Sequence, residues 1–193
     1  TRSDRDWSSD VCSSDLIVAC ERPVVPQPLE MLPDDWPLAC HNDPMPIVRK
    51  LGFGSVRAFG EFQFANIAPE KGKFDFSKPD RMVKRAEECG LTIMPILGDM
   101  MWPYWGHEAP IPKYALEKVV ENPANGRRIT WAKLDAWKDY VRALTSNYKG
   151  KISAWEVLNE PNLWMTPEEY FPYLKATYEA AKEGNPDCNV VGI

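Results

Sequence analysis

The chain has 193 residues, 44% of them hydrophobic, and a formal net charge of −5. That mixture is globular and long enough to bury a sizeable core, while the mild negative charge argues against a nucleic-acid surface, which would need clustered Lys and Arg. Eighteen prolines and eight tryptophans are high counts; indoles serve either as core or as flat apolar faces that grip rings, sugars among them.

Residues 1–16 (TRSDRDWSSDVCSSDL) have no apolar period and repeat Ser-Ser-Asp. They resemble a translated sequencing adaptor and are set apart from the fold. Ile17-Val18-Ala19-Cys20 resembles the end of a bacterial lipoprotein signal, with Cys20 as the lipidated residue. The Pro-rich stretch from Glu21 to Pro37 then reads as a stiff tether. The expected organisation is a segment 1–16, a signal remnant and tether over 17–36, and a catalytic domain over 37–193. No apolar run approaches the roughly 20 residues of a membrane-spanning helix, so any membrane link is expected at Cys20 and the location to be extracytoplasmic. Cys20, Cys40, Cys89 and Cys188 form no CxxC pair, and the two histidines are His41 and His107; neither a metal, nor another cofactor, nor a disulfide framework is expected.

From residue 43 helix and strand signals alternate. A weak strand is read around Trp36 to Cys40. Asp43-Pro44 caps a short helix that runs to about Leu51 and stops at Gly52. Ser55 to Phe59 reads as a strand. Ser77-Lys-Pro-Asp80 caps a second helix with Met82, Val83 and Ala86 on one face and Gly90 as its stop. Leu91 to Leu97 is a nearly continuous apolar run, as in a strand buried on both faces. A long loop is expected from Gly98 to Ile129, and a third helix from near Thr130, with Leu134, Trp137, Val141, Leu144 and Tyr148 at helical spacing. Ile152 to Leu158 is the next strand. Thr166-Pro167-Glu168-Glu169 is a capping box opening a helix that Gly184-Asn185-Pro186 stops, and Asn189 to Ile193 begins another strand. Such alternation implies an α/β fold with a parallel sheet and right-handed crossovers. A barrel and a doubly wound sheet both fit. No Gly-rich phosphate loop follows a strand, and the long connections lie after strands, where barrels build active sites.

The strongest chemical motif is Trp155-Glu-Val-Leu-Asn-Glu-Pro-Asn162. An apolar strand runs straight into Asn-Glu-Pro, which sets a carboxylate at the strand's carboxyl end beside an amide, and Pro161 forbids continuation of the ladder. A carboxyl group there, partly desolvated by aromatics, can act as a general acid; it could equally be a loop carboxylate capping the next turn. Glu156 is read as a hydrogen-bonded interior carboxylate, since period two puts it on the same side as Leu158 and Glu160 unless the strand bulges.

The string resembles the fourth-strand signature of clan A glycoside hydrolases. Arg57 in SVRAF, Ile67-Ala-Pro69 with Gly72-Lys-Phe-Asp-Phe76 and Asp80, and Trp102-Pro-Tyr-Trp105 fall in order where that clan carries related landmarks, so the resemblance spans about Asp43 to Ile193. It looks most like the β-xylosidase and α-iduronidase family or the β-galactosidase family. The resemblance implies a (β/α)₈ TIM barrel, truncated after about five strands. It also implies retaining hydrolysis of O-glycosyl bonds in an oligosaccharide or polysaccharide. Glu160 then matches the acid/base, Asn159 the residue bonding the sugar 2-hydroxyl, and Arg57 the arginine that keeps the nucleophile ionised. Trp102, Tyr104, Trp105, His107 and Asp99 are candidate sugar contacts. Retention needs a second carboxylate about 5–5.5 Å from the first, which in the clan comes from strand seven; none of this chain's carboxylates matches it, so the isolated chain is expected to be inactive. The competing reading is a non-catalytic sugar-binding or scaffold protein on a decayed barrel.

Overall fold

The computed structural model describes residues 45–58, 60–98, 101–102, 111–121 and 128–192, without the side chains of Met101 and Trp102. The segment 1–16, the signal and tether, the strand at 36–40 and the Asp43-Pro44 cap lie outside the described residues. The chain divides into two compact units, 1–56 with 84–92, and 57–83 with 93–193.

In the first unit, helix α1 (Met45–Lys50) ends in a turn at Gly52, whose φ of +90° suits a residue without Cβ. Strand β1 (Ser55–Ala58) starts here and enters the second unit at Arg57. The backbone N–H of Thr92 donates to the Gly54 carbonyl at 2.9 Å.

The remaining elements follow in order: α2 (Phe64–Ile67), α3 (Ser77–Glu88), β2 (Thr92–Leu97), β3 (Met101–Trp102), β4 (Leu116–Glu121), β5 (Arg128–Ala132), α4 (Leu134–Asn147), β6 (Ala154–Val157), a 3₁₀ turn at Pro161–Leu163, α5 (Pro167–Gly184) and β7 (Asn189–Val191). The expected capping box opens α5: the Thr166 hydroxyl accepts from Glu169 N–H while the Glu169 carboxylate accepts from Thr166 N–H.

One sheet has the order β1–β2–β6–β7. Strand β6 runs parallel to β2 and to β7, with Ile96 opposite Glu156 and Trp155 opposite Val190. The β2–β6 pairing falls just past Pro95, which has no N–H to donate to a ladder. Strand order follows chain order without a reversal, as a barrel winds; a doubly wound sheet would reverse.

The connection from β2 to α4 departs from the sequence expectation. Instead of a long loop it holds an antiparallel sheet of order β3–β5–β4, in which Val120 opposes Ile129 and Val119 opposes Thr130. Thr130 therefore sits in a strand, and the helix expected from it begins at Leu134. Ile129, Thr130 and Trp131 are β-branched or aromatic and fit a half-buried pleated surface better than a helix start. Their side of the pair is buried, while β4 is exposed along most of its length.

The core of the second unit is aromatic. Phe62, Phe64, Trp137, Tyr140 and Trp155 are fully buried, with Phe64 stacked on Tyr140 at 4.6 Å between centroids. The Tyr140 hydroxyl donates to the Phe62 carbonyl and accepts from Gly98 N–H at 3.1 Å, which ties the residue after β2 to helix α4. Burial pushes the Tyr140 phenol well above its ordinary range. Gly98 has φ +70°, and a Cβ there would lie 2.5 Å from the Trp137 ring. Gly98→Ala should therefore lower unfolding stability by about 2–3 kcal/mol, from left-handed strain plus overpacking. Gly72→Ala, at φ +75° with nothing within 4 Å of the new Cβ, should cost about 1 kcal/mol from strain alone. Urea unfolding of the two variants separates the contributions; equal losses would show that the Trp137 ring yields freely.

Candidate active site

The site is built where β6 ends. Trp155 and Val157 anchor the strand in the core, and the ladder continues one residue further through Leu158 N–H to the Leu97 carbonyl at 3.1 Å. The backbone then turns sharply. Leu158 has φ +61° and Glu160 has φ +47°, and these are the positive-φ non-glycine residues among those described. Each costs of order 1–3 kcal/mol unless its surroundings impose it. Several groups impose it here. The Tyr170 hydroxyl donates to the Val157 carbonyl and the Trp164 indole N–H to the Asn159 carbonyl, both at 3.2 Å. The 3₁₀ turn adds Leu163 N–H to the Glu160 carbonyl at 3.0 Å and Met165 N–H to the Pro161 carbonyl at 2.7 Å.

Glu156 is the buried charge of the site, 4% exposed. A buried carboxylate needs a partner, and Arg57 supplies it as a fork: Nε lies 2.6 Å from Oε2 and Nη2 lies 2.5 Å from Oε1. Since β2 stands between β1 and β6, the guanidinium reaches across about two inter-strand spacings, or roughly 10 Å. Its hydrogen bond to Glu156 raises the Arg57 pKa above the ordinary value; burial opposes this, and the charges of Glu156 and Glu160 add to it.

The same Nη2 donates to Asn159 Oδ1 at 2.9 Å. Arginine has donors only, so the atom it meets must be the amide oxygen, and the amide nitrogen of Asn159 is left to donate elsewhere. That nitrogen lies 3.5 Å from Glu160 Oε2, at the outer limit of a hydrogen bond. Glu160 itself is exposed, without the aromatic cover expected from the sequence among the described residues.

Arg57, Asn159 and Glu160 are thus brought together, with Glu156 as their buried anchor. Trp102 lies in β3 opposite Arg128; Asp99, Tyr104, Trp105 and His107 lie outside the described residues. Sequence reasoning missed Trp164 and Tyr170, whose only signal was an aromatic shortly after the Asn-Glu-Pro motif. It also missed Glu61, whose Oε2 is buried with no hydrogen-bond partner among the described residues. No group of His, Cys, Asp and Glu among the described residues could hold a metal ion. An ionisable carboxyl group, a neighbouring amide donor and a fixed positive charge can together transfer a proton and bind a hydroxyl.

The family model of Glycosyl hydrolase family 10 matches residues 41–191. Beta-galactosidase BbgII of Bifidobacterium bifidum is 27% identical over 135 residues, covering 66% of this chain and 19% of that protein. Endo-1,4-beta-xylanase A of Phanerodontia chrysosporium is 23% identical over 150 residues, covering 72% of this chain and 32% of that protein. The chain thus spans about a fifth of the first of these relatives and about a third of the second. Among solved structures, native xylanase 10B from Thermotoga maritima superposes with a TM-score of 0.54 at 21% identity, covering 81% of this chain and 46% of that one. This likeness carries the fold, a (β/α)₈ barrel, of which the chain supplies a part.

The fork between Arg57 and Glu156 makes a stability prediction. Arg57→Met strands a buried carboxylate and should cost about 2–4 kcal/mol. The double variant Arg57→Met/Glu156→Leu should regain part of that loss, because the unpaired charge is gone. Denaturant titration of the wild type, both single variants and the double variant measures the coupling; a double variant less stable than Arg57→Met alone would place the cost elsewhere.

Proposed function

We propose that this chain, which belongs to glycosyl hydrolase family 10, carries the acid/base half of a site that cleaves glycosidic bonds with retention. The clan implied by the motifs stands, while the family is neither of the two that the sequence favoured. The observation that carries the proposal is the strained turn that sets Glu160 at the end of a buried parallel strand, beside an amide whose orientation Arg57 fixes. Glu160 protonates the leaving oxygen and later deprotonates the attacking water. Asn159 Nδ2 donates to a sugar hydroxyl next to the reacting carbon. Arg57 keeps positive charge at the site and so favours an ionised carboxylate opposite Glu160. That opposing carboxylate, about 5–5.5 Å away in a retaining enzyme, is assigned to a part of the barrel beyond these residues, because Glu156 is already spent on Arg57.

The substrate class we propose is a β-1,4-linked xylan. Several relatives named endo-1,4-beta-xylanase match most of this chain, among them one from Thermotoga maritima at 27% identity. The β-galactosidase relative keeps a galactoside in the test.

The experiment is Glu160→Gln in the complete protein that contains this chain. The amide keeps size and hydrogen bonding but holds no proton to give. On xylo-oligosaccharides kcat/KM should fall about 10²–10⁴-fold. On an aryl xylobioside with a good leaving group the glycosylation step should fall far less, because little protonation is needed. Equal rates for variant and wild type on the natural oligosaccharide would remove Glu160 as the acid/base. Turnover of aryl galactosides with none of xylosides would keep the mechanism and overturn the substrate.

A further inference from the structure

The peptide joining Asn159 to Glu160 is the hinge on which the carboxylate's direction depends. Its plane turns through Asn159 ψ and Glu160 φ, and the second of these is held at +47°, a region that a residue with a Cβ leaves readily when nothing holds it. Rotation of that plane would relieve the strain and swing the Glu160 side chain away. The carbonyl oxygen on that same plane accepts the indole N–H of Trp164 at 3.2 Å.

The indole donor is available for this because of local structure. Trp164 closes the 3₁₀ turn, with its own N–H on the Pro161 carbonyl at 3.0 Å, and it is half-buried. Capped α5 begins three residues later, so the ring stands on a fixed base. Indole donors are not all satisfied among the described residues. Trp131 and Trp155 have buried Nε1 atoms without a partner among the described residues, while Trp137 donates to the Thr177 hydroxyl. The indole of Trp164 is spent on the peptide next to the acid/base. Tyr170 holds the carbonyl two residues upstream of Asn159 and leaves this plane free to turn.

We propose that Trp164 is a positioning residue: its indole N–H pins the Asn159–Glu160 peptide in the left-handed conformation and so aims the Glu160 carboxyl group at the leaving oxygen. The inference rests on the assignment of Glu160 as acid/base. Removal of the pin should then act on protonation of the leaving group and little on substrate binding.

The test compares three forms of the complete protein: wild type, Trp164→Phe, and a form with 3-benzothienylalanine at position 164, which keeps the bicycle and replaces N–H by sulfur. Each is assayed on a xylo-oligosaccharide and on an aryl xylobioside with a good leaving group, with Glu160→Gln as reference, and each is melted. The benzothienyl form should lose about ten- to a hundredfold in kcat on the oligosaccharide, much less on the activated glycoside, with KM nearly unchanged and a melting temperature close to wild type. Trp164→Phe should lose at least as much on the oligosaccharide. A benzothienyl form with wild-type kcat on the oligosaccharide would overturn the proposal, as would equal losses on both substrates, which mark a merely structural ring. If Glu160→Gln itself shows no dependence on the leaving group, the acid/base assignment falls and the pin's purpose falls with it. If Glu160→Gln shows that dependence and the benzothienyl form does not, the positioning role alone is refuted.

Discussion

A guanidinium on β1 and a buried carboxylate on β6 stand two strands apart, and their fork is the constraint from which the carboxyl end of the sheet takes its form. Glu156 has no access to water that would solvate it alone, so its burial is tolerated only because Arg57 reaches it with two aligned N–H groups. Once that partner is fixed, its remaining Nη2 direction is fixed too, and Asn159 meets it with an oxygen. The orientation of an amide whose contact within its own turn is a long 3.5 Å one to Glu160 is thus set by a residue 102 positions away in the chain. Charge placed inside the sheet becomes geometry at its rim.

The second constraint is backbone strain. The strand arrives straight and apolar, and the carboxylate it delivers must stand clear of the ladder. Two left-handed residues in three achieve that redirection, and the strain persists because the carbonyls of Val157, Asn159, Glu160 and Pro161 are each held by a donor that follows them in the chain, between Leu163 and Tyr170. Rigidity of α5, from its capping box and its packing on α4, is in this sense transmitted to a chemical group on another element. Arg57 governs the side chain of Asn159 from one flank, while Trp164 governs its carbonyl from the other.

How much of this could be read from the chain depended on whether the signal was local. Helices α1, α3 and α5 came through because their caps and stops are short-range: Thr166 and Glu169 bracket one turn, and Gly52 ends α1 where φ becomes positive, whereas the single turn of α2 has no side-chain cap to announce it. The strands β2 and β6 came through because apolar runs of that length have few other uses. The Asn-Glu-Pro motif placed Asn159 and Glu160 at a strand end without any need of tertiary information. The antiparallel β3–β5–β4 sheet did not come through, because LEKVVE and RITWA acquire meaning only against each other, and Thr130 looks like a cap until Val119 is set opposite it. Nor did the partners of the site. Glu156 could be read as interior, yet nothing local named Arg57 as its partner, and the fate of the Trp164 indole is decided by a carbonyl that its sequence neighbours do not advertise.

The hairpin of β4 and β5 has a consequence for how such a barrel can diversify. It closes upon itself at its base, where Leu116 opposes Ala132 and Lys133 N–H donates to the Ala115 carbonyl at 2.8 Å. The chain therefore leaves and rejoins the path from β2 to α4 at nearly one point, and the register of the parallel strands is indifferent to what lies between. The Lys118 ammonium lies above the Trp131 ring across the two strands, and that ring packs against Tyr173 of α5, while Val119 and Val120 face solvent on the edge strand. Such an element behaves as an exchangeable cassette. Lengthening it costs little more than loop-closure entropy, which grows only with the logarithm of length. New surface can thus be appended near the mouth of a barrel while the strands that hold the carboxylates keep their places.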